Sequence, residues 1–144
     1  MYASTVAAVY SVLKDDATLT ALLGGAAGDR IEHEFPLKTI TFSSTLKAFI
    51  ILSQESVTTI GGSGYGDDEL WQARILANDI AARNAVRDRV KQVVEDNFNE
   101  NGDIDLTSRL YLDGGNLTVG PPGFDDNLQV FTLNIRFTLE SIAA

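Results

Sequence analysis

Apolar residues at helical spacing open the chain. Val6, Val9 and Leu13 recur at intervals of three or four residues, which places them on one face of a helix. Ser4 precedes this pattern, and its hydroxyl can cap the first turn. Asp16 can cap a second, shorter helix, which ends at a pair of glycines. We therefore predict a helical hairpin or one bent helix at the N-terminus.

The helical spacing is lost after the glycine pair. Pro36 interrupts the chain after residues 31–35, which we predict to be part of a connection. Residues 49–52, Phe-Ile-Ile-Leu, are a continuous apolar run rich in β-branched and aromatic side chains, and they predict a central strand. The glycine-rich residues 61–68 predict a flexible hairpin loop.

Two long elements follow this loop. Apolar and polar residues alternate over 69–79, with Trp71 and Ile75 on the same side, so we predict a strand, with a helix as the competing assignment. A helical stripe over residues 82–98, capped at Asn78-Asp79, predicts the longest helix. The stripe consists of Ala82, Val86, Val90, Val93, Val94 and Phe98.

The C-terminal third predicts strands. Apolar pairs at positions 104 and 106 and at 110 and 112 predict short strands around a turn at 113–115, and a further turn is predicted at 121–123. Strict alternation from Phe131 to Leu139 predicts the clearest strand, with one face in the core. This order of elements predicts one α+β domain over residues 1–144. In it, an N-terminal helix and one long helix pack on one face of a mainly antiparallel sheet.

Composition is that of a globular protein and narrows the classes of partner. The chain has 144 residues, of which 44% are hydrophobic and 22% charged. Eleven basic and twenty acidic residues give a net charge of −9, which argues against duplex DNA or an anionic membrane as the main ligand. No apolar run approaches the ~20 residues that span a bilayer, and no basic and apolar leader opens the chain, so we expect a cytoplasmic protein without membrane contact.

The residues that enzymes use for catalysis are scarce. The single histidine, His33, lies between two glutamates, and no serine stands in a nucleophile-elbow pattern. Residues 61–66 lack the Gly-Lys-Ser/Thr sequence of a P-loop. The chain has no cysteine and hence no thiolate metal ligand. We predict that the protein is not an enzyme and that it holds no cofactor and no metal.

Residues 97–108 partly match the sequence pattern of a calcium-binding loop. Asn97 and Gly102 stand at the first and sixth positions of an EF-hand calcium loop, and oxygen-bearing side chains occupy its third, fifth and ninth positions. The twelfth position is Ser108, where that loop requires a bidentate glutamate. We favour a polar turn between helix and strand over a calcium site.

Charge is distributed unevenly along the chain. Residues 92–144 hold two basic and nine acidic residues. Arg83, Arg87 and Lys91 stand four residues apart on the long helix, where they form either a solvated flank or one side of a subunit interface. If the basic row forms one side of a subunit interface, the opposite side is the acidic C-terminal third of the next copy, with Asp125 and Asp126 as candidates. Such a head-to-tail contact between copies can close into a ring.

The order of these segments resembles a known family over nearly the whole chain. Residues 16–25 read Asp-Ala-Thr-Leu-Thr-Ala-Leu-Leu-Gly-Gly, and they are followed by the strand 49–52, the strand through Trp71 that leads into the long helix, and the final strand 131–139. This pattern resembles the small tail-terminator, or tail-completion, proteins of long-tailed bacteriophages and prophages. Lys47 and Ala48 stand where the family often has proline, and the glycine-rich loop is unusual for it.

The resemblance implies a structural virion protein without enzymatic activity. Such proteins form a homohexameric ring on the head-proximal end of the tail tube, end tube polymerisation and provide the surface for head–tail joining. The implied partners are further copies of the chain, the tail tube protein and a neck or head–tail connector protein, while DNA passes through the lumen without specific binding. The implied location is the virion tail, after assembly in the host cytoplasm.

Loops project from such a scaffold, so they are the candidate contacts with the tube or neck. The candidates are Tyr65, Asp67, Asp68 and Pro121. Two other functions stay open: a head–tail connector (neck or stopper) protein, and a small cellular binding module. A metal-dependent enzyme is disfavoured because the acids lack histidine or lysine partners in any motif.

Overall fold

A computed structural model of the chain describes residues 4–25, 30–33, 41–59, 66–99 and 108–143, and the structural statements below refer to these residues. They form three helices and six strands. The helices are α1 (Thr5–Lys14), α2 (Ala17–Leu23) and α3 (Ile80–Asn97). The strands are β1 (Ile31–His33), β2 (Ala48–Thr59), β3 (Asp67–Ala77), β4 (Ser108–Val119), β5 (Gly123–Asp125) and β6 (Val130–Ala143).

Each helix begins at a capping side chain that the sequence predicts. The Ser4 hydroxyl accepts a hydrogen bond from the amide of Ala7 (3.1 Å). The Asp16 carboxylate accepts one from Leu19 (2.9 Å), and the Asp79 carboxylate caps α3 in the same way. The predicted pair of N-terminal helices and the long helix are therefore confirmed, and α3 begins at Ile80, directly after its predicted cap.

The strands form one sheet in the order β1-β2-β3-β6-β4, with β5 also paired to β6. Neighbouring strands are antiparallel except β1 and β2, which run parallel with Ile31 opposite Ile50. The predicted α+β class with a mainly antiparallel sheet is confirmed. Segment 31–35 was expected to be a connection, and this is wrong for its first three residues, which form the edge strand β1. Ile31 is fully buried, but three residues are too few to show an alternating pattern.

Strand β4 corrects a second prediction. Short strands around a turn were expected near residues 113–115, yet β4 continues through them. Leu112 pairs with Leu139 and Leu117 pairs with Phe137, so the extra residues of β4 form a bulge while β6 runs straight past. Glycine and aspartate suit a bulge as well as a turn, so the sequence did not distinguish them. The short strand predicted at positions 104 and 106 lies outside the described residues. The turn predicted at 121–123 ends at Gly123, where β5 begins.

The main core lies between the three helices and one face of the sheet. On β6, Leu133, Ile135, Phe137 and Leu139 are buried, while Arg136 between them is exposed, as the alternation predicts. Trp71 lies fully buried in the same core, together with the valines of α3. The sheet therefore carries its helices on one face, and its other face is largely polar.

A small second cluster lies on that other face. Phe49, Leu76 and Val130 are buried there, and Phe42 packs against them. The buried guanidinium of Arg30 lies 5.2 Å from the centre of the Phe49 ring, and desolvation lowers its pKa. This cluster holds the segment before β2 against the sheet.

Strand pairing defines two ends of the sheet. At one end, here called the hairpin end, Thr59 pairs with Asp67, which also pairs with Ser141. At the opposite end, the helix-start end, Ala77 pairs with both Ala48 and Phe131 shortly before α3 begins. Within the described residues, no helix is both long and apolar enough to cross a membrane.

Candidate interaction surfaces

The three basic residues predicted to share a flank of α3 differ in exposure. Arg83 is only 8% exposed, and its guanidinium donates two hydrogen bonds to the side chain of Asn84. Arg87 donates to Asp88 (2.8 Å), and the Lys91 ammonium lies 3.9 Å from Glu95. A solvated flank, one of the two alternatives for this row, is therefore wrong at Arg83, which lies on the buried side of α3 with Val86 and Val90. The role of the three basic residues in a subunit interface stays a prediction.

The two candidate acids of the C-terminal third lie in the turn between β5 and β6. Asp125 accepts hydrogen bonds from the amides of Asn127 and Leu128 (2.9 and 3.0 Å), and it lies 3.5 Å from Arg74. Asp125 therefore shapes the turn from within the protomer. Asp126 is exposed, and its carboxylate forms no ion pair with any described residue.

Two large apolar side chains flank these acids. Phe124 is 47% exposed and Leu128 is 49% exposed, although Phe124 also packs against Phe131 with ring centres 5.1 Å apart. Residues 124–129 are here called the acidic turn. It combines the Asp126 carboxylate, which has no ion-pair partner among the described residues, with two apolar side chains that are about half exposed.

The predicted contacts with a tube or neck fall at both ends of the sheet. Asp67 and Asp68 begin β3 at the hairpin end and are partly buried. Pro121 is exposed near the helix-start end, between β4 and β5. Tyr65 lies outside the described residues. The candidates thus do not form one cluster, and their contacts stay predictions.

A close backbone approach fixes the entry to β3. Gly66 has a φ of +146°, and a Cβ at this position would collide with the carbonyl oxygen of Ser141 on β6. A buried glutamate lies further along β3. Glu69 is 3% exposed, and its carboxylate accepts hydrogen bonds from Gln54 (2.8 Å) and from the Trp71 indole (3.2 Å). Glu69 was not among the predicted functional residues, and the sequence signal for its burial is its position on the apolar side of the alternation, with Trp71 and Ala73.

An ion pair joins the short helix α2 to the long helix. Both carboxylate oxygens of Asp16 accept hydrogen bonds from the Arg89 guanidinium, at 2.6 and 2.8 Å. Arg89 lowers the pKa of Asp16 below its ordinary value, although partial burial of the carboxyl opposes this effect. The sequence indicated Asp16 as a cap but not its partner, which lies 73 residues away.

A groove of about 540 Å³ opens at the helix-start end. It is lined by Ala21, Leu22, Thr45, Lys47, Asp79, Ala81 and Ala82. The Asp79 carboxylate is engaged with the amide of Ala82 as the cap of α3 (2.6 Å). Lys47 is exposed and forms no ion pair with any residue that the structure describes. No local sequence pattern predicts this groove, because it is assembled from three separate segments of the chain.

The calcium-like segment is only partly described. The Asn97 amide donates to the carbonyl of Val93 (2.8 Å) and the Asn99 amide to that of Asp96 (3.0 Å), so both side chains terminate α3. Ser108, the twelfth position, begins β4. Among the described residues, no group of three or more histidine, aspartate or glutamate side chains is placed to hold a metal ion.

Comparison with known proteins relates the chain by its fold. No protein-family model matches it, and no curated protein matches it. It is similar to a chain in the solved structure described as "Virion of native gene transfer agent (GTA) particle", with a TM-score of 0.65 and 17% sequence identity. The similarity covers 99% of this chain and 100% of that chain, so the two share one complete fold.

Proposed function

We propose that this chain is a structural protein of a phage-like virion and that it caps the head-proximal end of the tail tube as a ring. The observation that carries the proposal is the full-length match to a chain of a gene transfer agent virion. The order of helices and strands that resembles tail terminators supports the finer assignment. The proposal assigns the protein no enzymatic activity and no cofactor.

The two ends of the sheet suit two different neighbours. The hairpin end carries the partly buried acids Asp67 and Asp68. The helix-start end instead exposes the uncharged Pro121, between β4 and β5. A ring between a tail tube and a neck protein needs two chemically distinct surfaces, and this asymmetry supplies them.

The charge of the protomer suits a channel that passes DNA without holding it. The net charge is −9, and two arginines that the structure describes on the polar face of the sheet lie near carboxylates of the same chain. Arg136 lies 3.6 Å from Glu55 and Arg74 lies 3.5 Å from Asp125. Such a surface offers phosphate groups little net attraction.

Native mass spectrometry of the purified protein, alone and mixed with tail tubes that lack it, tests the proposal. We expect a sixfold species in solution or on the tubes, and negative-stain images should show density at one tube end only. Tube preparations with the protein added should also stop elongating when tube subunits are supplied.

The alternatives give different results in the same experiment. A head–tail connector would bind the neck or head and leave tube elongation unchanged. A cellular binding module would stay monomeric or dimeric and bind no tube. Either result would reject the terminator assignment.

A further inference from the structure

We propose that the acidic turn of one copy of this chain docks in the groove at the helix-start end of the next copy, with Asp126 facing Lys47. This inference rests on the proposed ring and names the contact that builds it. One part is an apolar groove whose lysine has no ion-pair partner among the described residues. The other is an apolar turn whose Asp126 carboxylate likewise has none there.

The turn is a projection held in one shape before any contact forms. Asp125 accepts two amide hydrogen bonds within it, and the Gln129 side chain donates to the carbonyl of Asp126 (2.6 Å). Its conformation is therefore set within the protomer, so docking requires little ordering of the backbone. Phe124 and Leu128 stand on either side of Asp126 with about half of their surfaces exposed.

The groove offers matching chemistry. Leu22 and Ala81 contribute apolar surface, and Lys47 lines the groove without an acidic partner in the part of the chain that the structure describes. Its volume, about 540 Å³, lies within the range of roughly 300–1,000 Å³ in which proteins bind small molecules, so it can accept several side chains. Leu128 and Phe124 can fill the apolar part while Asp126 meets Lys47.

The contact must form between copies. Lys47 directly precedes β2, whereas the turn joins β5 to β6 on the far side of β3. Two to three strand spacings, roughly 10–14 Å, therefore separate the two features within one protomer. A contact between different patches on successive copies is heterologous, and it closes into a ring when the rotation between copies permits.

The basic residues of α3 are weaker candidates for the same role. Arg87 is paired with Asp88, Arg89 with Asp16, and Lys91 lies near Glu95. An acidic partner would have to displace these carboxylates. Lys47 meets an incoming carboxylate without that cost, and this difference places the contact at the groove.

Charge reversal tests the contact. Sedimentation velocity over a concentration series compares the wild type with Lys47→Glu, Asp126→Lys and the double variant. Each single reversal is expected to weaken self-association at least about tenfold, because it sets like charges against each other, and the double variant should recover most of the loss. Lys14→Glu and Asp15→Lys, which make the same charge changes on α1 and directly after it, should leave association within about twofold.

Engineered cysteines test the same contact directly, because the chain has none of its own. Ala81→Cys protein is mixed with tagged Leu128→Cys protein and oxidised, both free and on tail tubes. Disulfides between the two variants should dominate over those within either variant. Circular dichroism confirms that each variant is folded.

The results separate this inference from the proposed function. Rings that persist with unaltered association in the Lys47→Glu and Asp126→Lys variants, or a double variant no better than the single ones, overturn the docking inference and leave the ring intact. Absence of mixed disulfides in both free and tube-bound protein also overturns it. Absence of both self-association and tube capping in the wild type rejects the proposed function itself.

Discussion

The structural role of a charged residue in this protein depends on the residues with which it forms hydrogen bonds and ion pairs. Asp16 is half of an ion pair with Arg89 as well as the cap of α2, and Glu69 is a buried acceptor for the indole of Trp71. The capping role is encoded within three residues, so the sequence predicts it. The partner of Asp16 lies on another helix, and no local pattern indicates which of the basic residues of α3 will face it.

The double role of Asp16 gives a prediction with a defined dependence on pH. At neutral pH, Asp16→Asn should lower the free energy of unfolding because it removes the ion pair and keeps a capping side chain. Asp16→Ala should lower it by about 1 kcal/mol more, because the cap is lost as well. The folded pKa of Asp16 is lower than its unfolded value of about 3.9, so the stabilisation is complete above that pH and is lost as the pH falls further.

Urea unfolding of the variants at neutral pH and at acid pH measures this effect. The difference between wild type and Asp16→Asn should narrow as the solution is acidified. Asp15→Asn is the matched control, because Asp15 is the neighbouring exposed carboxylate. A difference that stays constant down to the lowest pH at which the protein folds would contradict the assignment.

The elements show which parts of the fold are encoded locally. Helix caps and the alternation of β6 occupy a few consecutive residues, and the sequence predicts them correctly. Strand β1 is only three residues long, and the bulge of β4 is defined by its pairing with β6. Both depend on contacts with distant residues, which explains why sequence analysis missed them. The groove was missed for the same reason.

The end of α2 provides a test at this scale. The amide of Gly25 donates to the carbonyl of Thr20 (2.8 Å), and that of Gly24 donates to Ala21 (3.2 Å), which is a Schellman motif. Both glycines have positive φ, so alanine at either position should cost about 1–2 kcal/mol in backbone energy. A Cβ on Gly24 would also lie 2.7 Å from the carbonyl oxygen of Thr45.

Gly24→Ala should therefore be less stable than Gly25→Ala by roughly a further 1–3 kcal/mol, the usual cost of overpacking. Gly25 is the matched control because a Cβ there meets nothing within 4 Å. Thermal unfolding followed by circular dichroism gives the comparison. Equal stability of the two variants would show that the contact with Thr45 does not constrain α2.

The whole molecule is organised around one core that joins helices to sheet. The main cluster includes residues of α1, α2 and α3 together with residues of β1, β2, β3, β4 and β6. Few contacts could be lost without affecting both layers. If the chain is the single domain that its length predicts, the helices and the sheet should unfold together.

We expect one cooperative unfolding transition. Fluorescence of Trp71, the sole tryptophan, reports on the core between sheet and helices. Circular dichroism at about 222 nm reports mainly on the helices, and a two-state protein gives the same transition with both probes. The two urea curves should coincide at protein concentrations where self-association is absent. A separate transition for the helices would mean that the layers unfold independently.

The position of β6 has a consequence for biosynthesis. It is the last of the six strands along the chain, yet it lies between β3 and β4 and pairs with both. While the polypeptide emerges from the ribosome, β3 therefore keeps an open hydrogen-bonding edge until β6 has been made. A translation product that stops before β6 cannot join the two parts of the sheet and is exposed to proteases and aggregation. Synthesis of β6 is thus the step that closes the sheet between β3 and β4.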